Sequence, residues 1–238
     1  MSTVKAVLTG HSRGLGAAIA AELAGRGIPV LALARQQGAA TQGVTQVALD
    51  LSDTAALCAW LAGGTLKSYL ADADTALLIN NAGMLQPVGP LTGHDPAEIA
   101  RAIGLNVATP LMLAAAVAAL DVAERRVLHV SSGAGRNAYP GWAVYCASKA
   151  ALDHHARAAA LDQVDGLRIV SLAPGVIDTD MQAQIRATDV EQFPLRDQFQ
   201  ALKANGALAS PEDCAERLVA FALSPGFGAA AVADLRDF

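Results

Sequence analysis

Short apolar runs that end on glycine, aspartate or asparagine alternate along this chain with longer alanine- and leucine-rich stretches. Residues 4–9 form the first run, ending in Gly10-His11-Ser12-Arg13-Gly14-Leu15-Gly16, and residues 17–26 follow at helical spacing with Gly27 as a stop. This pattern predicts strand, glycine turn and helix. Strands are expected next at 30–34 and 44–49, after which Asp50 and Ser52-Asp53 supply a turn and a cap for a helix at 54–62. A fourth strand at 76–79 closes on Asn80-Asn81-Ala82-Gly83, and Asp95-Pro96 opens a long helical stretch to about residue 120. A strand at 126–131, a helix at 142–161 and a strand at 167–173 lead to Pro174-Gly175. Residues 176–205 are polar and irregular with short helices, Ser210-Pro211-Glu212 caps a last helix to residue 223, and 229–234 reads as a terminal strand. Strands alternating with helices of these lengths predict an α/β fold, a doubly wound and mainly parallel seven-stranded sheet covered on both faces. Ligands of such sheets lie beyond the carboxyl ends of the strands, where the polar motifs fall.

Length and composition narrow this further. With 238 residues and no linker or low-complexity run, residues 1–238 are expected to form a single domain. Charged side chains make up 16 %, and 17 basic against 22 acidic residues leave a net charge of −5, which gives no reason to expect a nucleic-acid partner. The apolar run at the start is too short for the core of a signal peptide. Cys58, Cys146 and Cys214 are odd in number and lack C-x-x-C spacing, which suits a reducing cytoplasm better than disulfides or zinc. The five histidines show no metal pattern, and His154-His155 reads as a surface pair on a helix. Residues 103–120 carry no charge, at the lower limit for a membrane span, yet Asn106, Thr109 and Pro110 lie inside. A buried helix in a core or a subunit interface explains the run better than a bilayer does.

The chemistry begins at the glycine turn. Placed between a strand and a helix, Gly10, Gly14 and Gly16 bring backbone amides and the positive helix end toward a pyrophosphate. Gly10-His11-Ser12-Arg13-Gly14 also matches the G-x-S-x-G of a hydrolase, with Ser12 as nucleophile, although that turn normally follows a later strand. About twenty residues beyond the glycines, a site for an unphosphorylated dinucleotide would carry an acidic side chain. Here Arg35 stands in that place, with Ser12 and Arg13 near, so charge-assisted bonds to a 2′-phosphate and hence NADP(H) are expected. Asp50, at the end of the third strand, is placed for the adenine. Tyr145 and Lys149, four apart on a helix, share one face, and the cation can act on the acidity of the phenol.

Together with Asn81-Ala82-Gly83, Asn106, Ser131-Ser132 and Pro174-Gly175-x-x-x-Thr179, these motifs resemble the short-chain dehydrogenase/reductases over nearly the whole chain. The resemblance implies a Rossmann-type domain, Tyr145 as proton donor, and Lys149 lowering its pKa while holding the nicotinamide ribose. It further implies that Ser132, thirteen residues before the tyrosine, bonds the substrate carbonyl. Asn106 would hold a relay water, Asn81, Ala82 and Gly83 would line the cofactor cleft, and Ile177 and Thr179 would meet the carboxamide. The stretch from Pro174 through Met181 to Gln182, with Leu202-Lys203-Ala204-Asn205-Gly206 and Ser210-Pro211, resembles the branch with sepiapterin reductases and bacterial benzil reductases. So does the absence of a glycine-rich ending before Phe238. That branch reduces vicinal dicarbonyl compounds with NADPH. Asp234 is the nearest match to its pterin-gripping aspartate, and Trp142, Met181 and Phe193 are candidate apolar walls. A carbonyl reductase acting on a small-molecule ketone, assembled as a homodimer or homotetramer through the helices at 103–120 and 142–161, is the expectation. The rivals are an NADP(H)-binding sensor without turnover and a serine hydrolase using Ser12.

Overall fold

Seven strands line up in the computed structural model of the protein, which describes residues 3–238. They are β1 (Val4–Thr9), β2 (Val30–Ala34), β3 (Val44–Ala48), β4 (Thr75–Asn80), β5 (Glu124–Val130), β6 (Leu167–Ala173) and β7 (Val232–Asp234). Their order across the sheet is β3-β2-β1-β4-β5-β6-β7. Every neighbouring pair is parallel, so the sheet is wholly rather than mainly parallel. All residues of β2 and of β4 are buried, as expected for strands with helices on both faces.

Alternation of side chains along these strands divides the core in two. On one face Ala6, Leu8, Val30 and Ile79 pack against α1 (Gly14–Gly25) and α9 (Pro211–Leu223). On the other, Val7, Leu31, Leu78 and Val127 pack against α2 (Thr54–Ala62), α3 (Thr65–Leu70), α5 (Thr109–Ala118) and α6 (Ala143–Leu161). The short α3 was not expected from the sequence. The pair Gly63-Gly64 breaks the helical pattern, and Leu66 and Leu70, one turn apart, then bury into the second core.

Most of the uncharged run lies in a continuous helix from Pro96 to Ala118, made of α4 (Pro96–Ile103), a π-helical turn at Gly104–Ala108 and α5. Its 23 residues, with a mean hydropathy of 1.5 over an 18-residue window, suffice by length and composition alone to cross a membrane. Here its inner face, through Leu113, Ala114 and Val117, covers the sheet. Residues 176–205 contain α7 (Asp180–Ala187) and α8 (Arg196–Ala204), and the last strand is shorter than its apolar run because only Val232 to Asp234 reaches β6.

The chain runs outward from β1 to β3 and then crosses to β4, so the order reverses at the β1–β4 seam. A crevice opens there, beyond the carboxyl ends of the two central strands.

Candidate active site

At this seam two turns are bolted together. Asn81 donates from its side chain to the carbonyls of Thr9 and Gly10 at 3.0 and 3.2 Å, and Thr9 Oγ accepts from the amides of Asn81 and Ala82 at 3.0 Å each. The fit leaves no room for side chains in the turn. A Cβ on Gly16 would lie 1.9 Å from the Gly10 carbonyl oxygen, and one on Gly10, at φ +74°, 2.8 Å from Ala82 Cα. No side chain caps the start of α1, so its first amides remain for an anion at the end of the helix dipole. These features fit a dinucleotide pyrophosphate.

Around this turn Leu15 is buried in the core, Ser12 is half-buried, and Arg13 and Arg35 are exposed. Arg13 reaches across the crevice mouth to Asp180 at 3.3 Å, and Gly14 faces Thr179. Asp50 accepts from the Ser52 amide and hydroxyl at 2.9 and 2.7 Å. Burial pushes its carboxyl up, but those bonds and the charges of Arg35 and Arg101 outweigh this and hold it below the usual range. His11 plays a part that no motif announces. Its ring is buried and bonds at 2.9 Å to Gln46 Oε1, which also accepts from the Gly38 amide at 2.8 Å. The segment after Arg35 is thereby pinned against Ser12, with which a Cβ on Gly38 would come within 3.2 Å. Since His11 is committed to Gln46 and no hydrogen bond joins Ser12 to a histidine among the described residues, the hydrolase alternative gains nothing from the structure.

Beyond β5, α6 carries Tyr145 and Lys149 one turn apart, both buried. Lys149 Nζ donates to the Val130 carbonyl at 2.7 Å and stands 5.6 Å from the centre of the Tyr145 ring. Burial pulls the ammonium down to about 8, against the charge of Asp153. Burial also pushes the phenol of Tyr145 up to about 12, opposed by a hydrogen bond with Ser132 and reinforced by Cys146. A phenol in this setting holds its proton until a reacting oxygen takes it. Asn106 lies in the π-helical turn, where it accepts from the Met84 amide at 2.9 Å and donates to the Met84 carbonyl at 2.8 Å. Gly83 closes the group: a Cβ there would sit 3.5 Å from Asn106 Oδ1 and 3.7 Å from Lys149 Nζ.

Two further arrangements were not legible beforehand. Buried Asp153, one turn beyond Lys149, accepts from Ser131 and Ser171 hydroxyls at 2.7 Å each and from Arg136 Nε at 3.2 Å. Second, His155 is only half-buried rather than a surface residue, and its Nδ1 lies 3.1 Å from Nε2 of buried His129. Burial, with the charges of His155 and Lys149, pushes His129 down to about 3, so this ring is neutral.

The apolar wall beside Tyr145 is aromatic. Trp142 stacks flat on Phe193, with centroids 4.5 Å apart and planes 2° from parallel, and meets the Tyr145 ring edge-on at 5.7 Å. Met181 packs against this cluster from α7. Pro174 and Gly175 follow β6 at the crevice, Thr179 precedes α7 as its N-cap residue, and the side chain of Ile177 packs in the core shared with α9. Asp234 stands apart from the aromatic wall. Its oxygens accept from Arg236 at 2.8 and 2.7 Å, and Arg136 approaches at 3.6 Å, so it is not presented as a bare carboxylate.

Comparison with known proteins agrees with this geometry. A profile of the short chain dehydrogenase family matches residues 4–190. The benzil reductase ((S)-benzoin forming) of Bacillus cereus is 34 % identical, over 89 % of this chain and 91 % of its own length. The sepiapterin reductase of Meriones unguiculatus is 33 % identical, over 97 % and 95 %. A solved short-chain dehydrogenase/reductase from Burkholderia vietnamiensis superposes with a TM-score of 0.71 at 47 % identity, over 100 % of this chain and 99 % of that one. From its glycine turn to its tyrosine and lysine, the chain belongs to the short-chain dehydrogenase/reductase family, oxidoreductases that use nicotinamide dinucleotides.

Proposed function

We propose that residues 1–238 form one NADPH-dependent carbonyl reductase domain acting on a vicinal diketone. The observation that carries this is Tyr145, a buried phenol held protonated beside Ser132 and Lys149 at the foot of an aromatic wall. When bound, NADPH supplies the hydride that reduces the carbonyl carbon. Ser132 donates to the carbonyl oxygen, and Tyr145 Oη delivers its proton there as negative charge builds. Lys149, fixed on the Val130 carbonyl, holds the nicotinamide ribose and eases that proton loss by its charge. Asn106, clamped on Met84, carries the water that returns a proton. Gly10, Gly14 and Gly16 would admit the pyrophosphate, Asn81, Ala82, Gly83, Pro174 and Gly175 would line the cleft, and Ile177 and Thr179 would meet the carboxamide end. Arg35, with Arg13 and Ser12, clamps the 2′-phosphate.

Between the two relatives' substrates, the wall favours the benzil-like one. Flat aromatic rings suit Trp142 and Phe193, whereas Asp234, with Arg236 and Arg136 on its oxygens, has little left to grip a pterin. A cofactor sensor without turnover would need neither Ser132 nor Tyr145. Free cysteines suit a cytoplasmic setting, and the outer faces of α5 and α6 suit a homodimer or homotetramer. A solution mass equal to the 24.3 kDa of one chain rejects that assembly.

The reading is tested by following cofactor oxidation with benzil, a sepiapterin-type pterin, an isolated ketone and an aldehyde, each with NADPH and NADH. Benzil with NADPH is expected to be fastest, and inactivity on all four substrates rejects the proposal. In the same assay Arg35→Asp should weaken NADPH at least tenfold more than NADH, since charge-assisted bonds to a phosphate are worth about 1.5–3 kcal/mol each. Equal effects on the two cofactors reject the phosphate role.

A further inference from the structure

Trp142 holds a buried donor with no acceptor. The residue is 4 % exposed, and its indole Nε1 has no hydrogen-bond partner among the described residues. Leaving such a group unpaired costs free energy, so natural folds keep few of them away from sites of function. This one belongs to the ring that meets Tyr145 edge-on at 5.7 Å and 78°. Its other contacts are aromatic or aliphatic: Phe193 stacked on its face, Phe199 and Tyr139 tilted at 5.4 and 5.3 Å, and Leu85, Ala134 and Ile185 in the same cluster. Apart from the hydroxyls of Tyr139 and Tyr145 and the thiol of Cys146, the indole is the only side-chain donor in that cluster among the described residues. A vicinal diketone needs just one more, because Ser132 and Tyr145 serve the carbonyl that is reduced and the adjacent oxygen is left over.

We infer that the Trp142 indole N–H recognises the second carbonyl of a 1,2-dicarbonyl substrate and so selects vicinal diketones over isolated ketones. The inference rests on the carbonyl reductase reading above and deepens it. The aromatic stack supplies the apolar body of the pocket, and the single donor supplies its directional element. A site built around one buried donor discriminates against analogues that lack the matching acceptor more sharply than an apolar wall can. Trp142 is thus a specificity-determining residue, distinct from the proton-transfer pair.

Its test is a pair of substrates with the same two phenyl rings: benzil, with adjacent carbonyls, and deoxybenzoin, in which a methylene replaces one of them. Trp142→Phe keeps an aromatic ring in the stack and removes the donor. The variant is expected to lose about tenfold in kcat/KM on benzil and less than twofold on deoxybenzoin. Comparing variant with wild type on each substrate cancels the greater intrinsic reactivity of the diketone. Equal losses on both, or none on benzil, overturn the inference and leave the carbonyl reductase reading standing. Wild-type protein that reduces neither substrate overturns that reading and the inference with it.

A second measurement guards against a misfolded variant. The chain has 2 tryptophans, so Trp60→Phe leaves one indole N–H resonance, that of Trp142. With NADP⁺ bound, benzoin, which retains the second carbonyl, should move this resonance downfield, and 1,2-diphenylethanol should not. A resonance that ignores benzoin, or that responds alike to both compounds, overturns the inference.

Discussion

Tyr145→Phe is expected to lower kcat on benzil about a thousandfold while leaving NADPH affinity within about twofold, because it removes only the transferable proton. The ring remains, so its edge contact with Trp142 and its distance from Lys149 are preserved. Stopped-flow binding by cofactor fluorescence, beside steady-state turnover, separates the two effects. A variant that keeps more than a tenth of the wild-type rate removes Tyr145 from the chemistry. The pH profile of kcat/KM for the wild-type protein adds a check with a definite sign. Lys149 is pulled down to about 8 by burial, so its charged form dominates below that pH and is lost above it. Because the tyrosine stays protonated to about 12, the alkaline fall belongs to the lysine and should centre near 8. A rate flat from pH 7 to about 10 would sink this assignment of the lysine's role.

Asp153→Ala should be the most destabilising single change near the site. It strips one buried carboxylate from two serine hydroxyls and Arg136 at once, and breaking a buried, charged network in this way costs about 3–5 kcal/mol. Urea unfolding reads the loss. Asp153→Asn keeps an oxygen for the hydroxyls and should recover part of it. A loss below about 1 kcal/mol would mean that the network is dispensable. The expected damage also reaches chemistry, since Ser131 precedes Ser132, and Asp153 shares a helix face with Lys149.

Much of this architecture was open to sequence reasoning, for identifiable physical reasons. Strands such as Val30–Ala34 and Thr75–Asn80 are buried on both faces, so their apolar runs stand out. The Ser210 cap fixes the start of α9, and its hydroxyl does accept from the Asp213 amide at 3.0 Å. Motifs at strand ends fell at the crevice because the alternation of strand and helix already fixed the topology. What stayed hidden was whatever depends on residues far apart in the chain. Asp153 draws its partners from the residue after β5, from β6 and from the loop at Arg136, a meeting that no spacing rule announces. The π-helical turn at Asn106 adds one residue to a periodic pattern too uniformly apolar to show it. Asp234 matched a motif by position, and its pairing with Arg236 and Arg136 is a contact that position alone does not announce.

The bond from Lys149 to the Val130 carbonyl has a consequence for how the site meets its ligands. A lysine side chain free in solution gives up about 2 kcal/mol of rotamer entropy when it is immobilised. In this protein that ordering accompanies folding, so in the proposed role a cofactor would meet an ammonium already held and spend none of its binding energy fixing it. The site would thus be preorganised at a long, rotamer-rich side chain, and affinity could go instead to aligning the two reacting carbons.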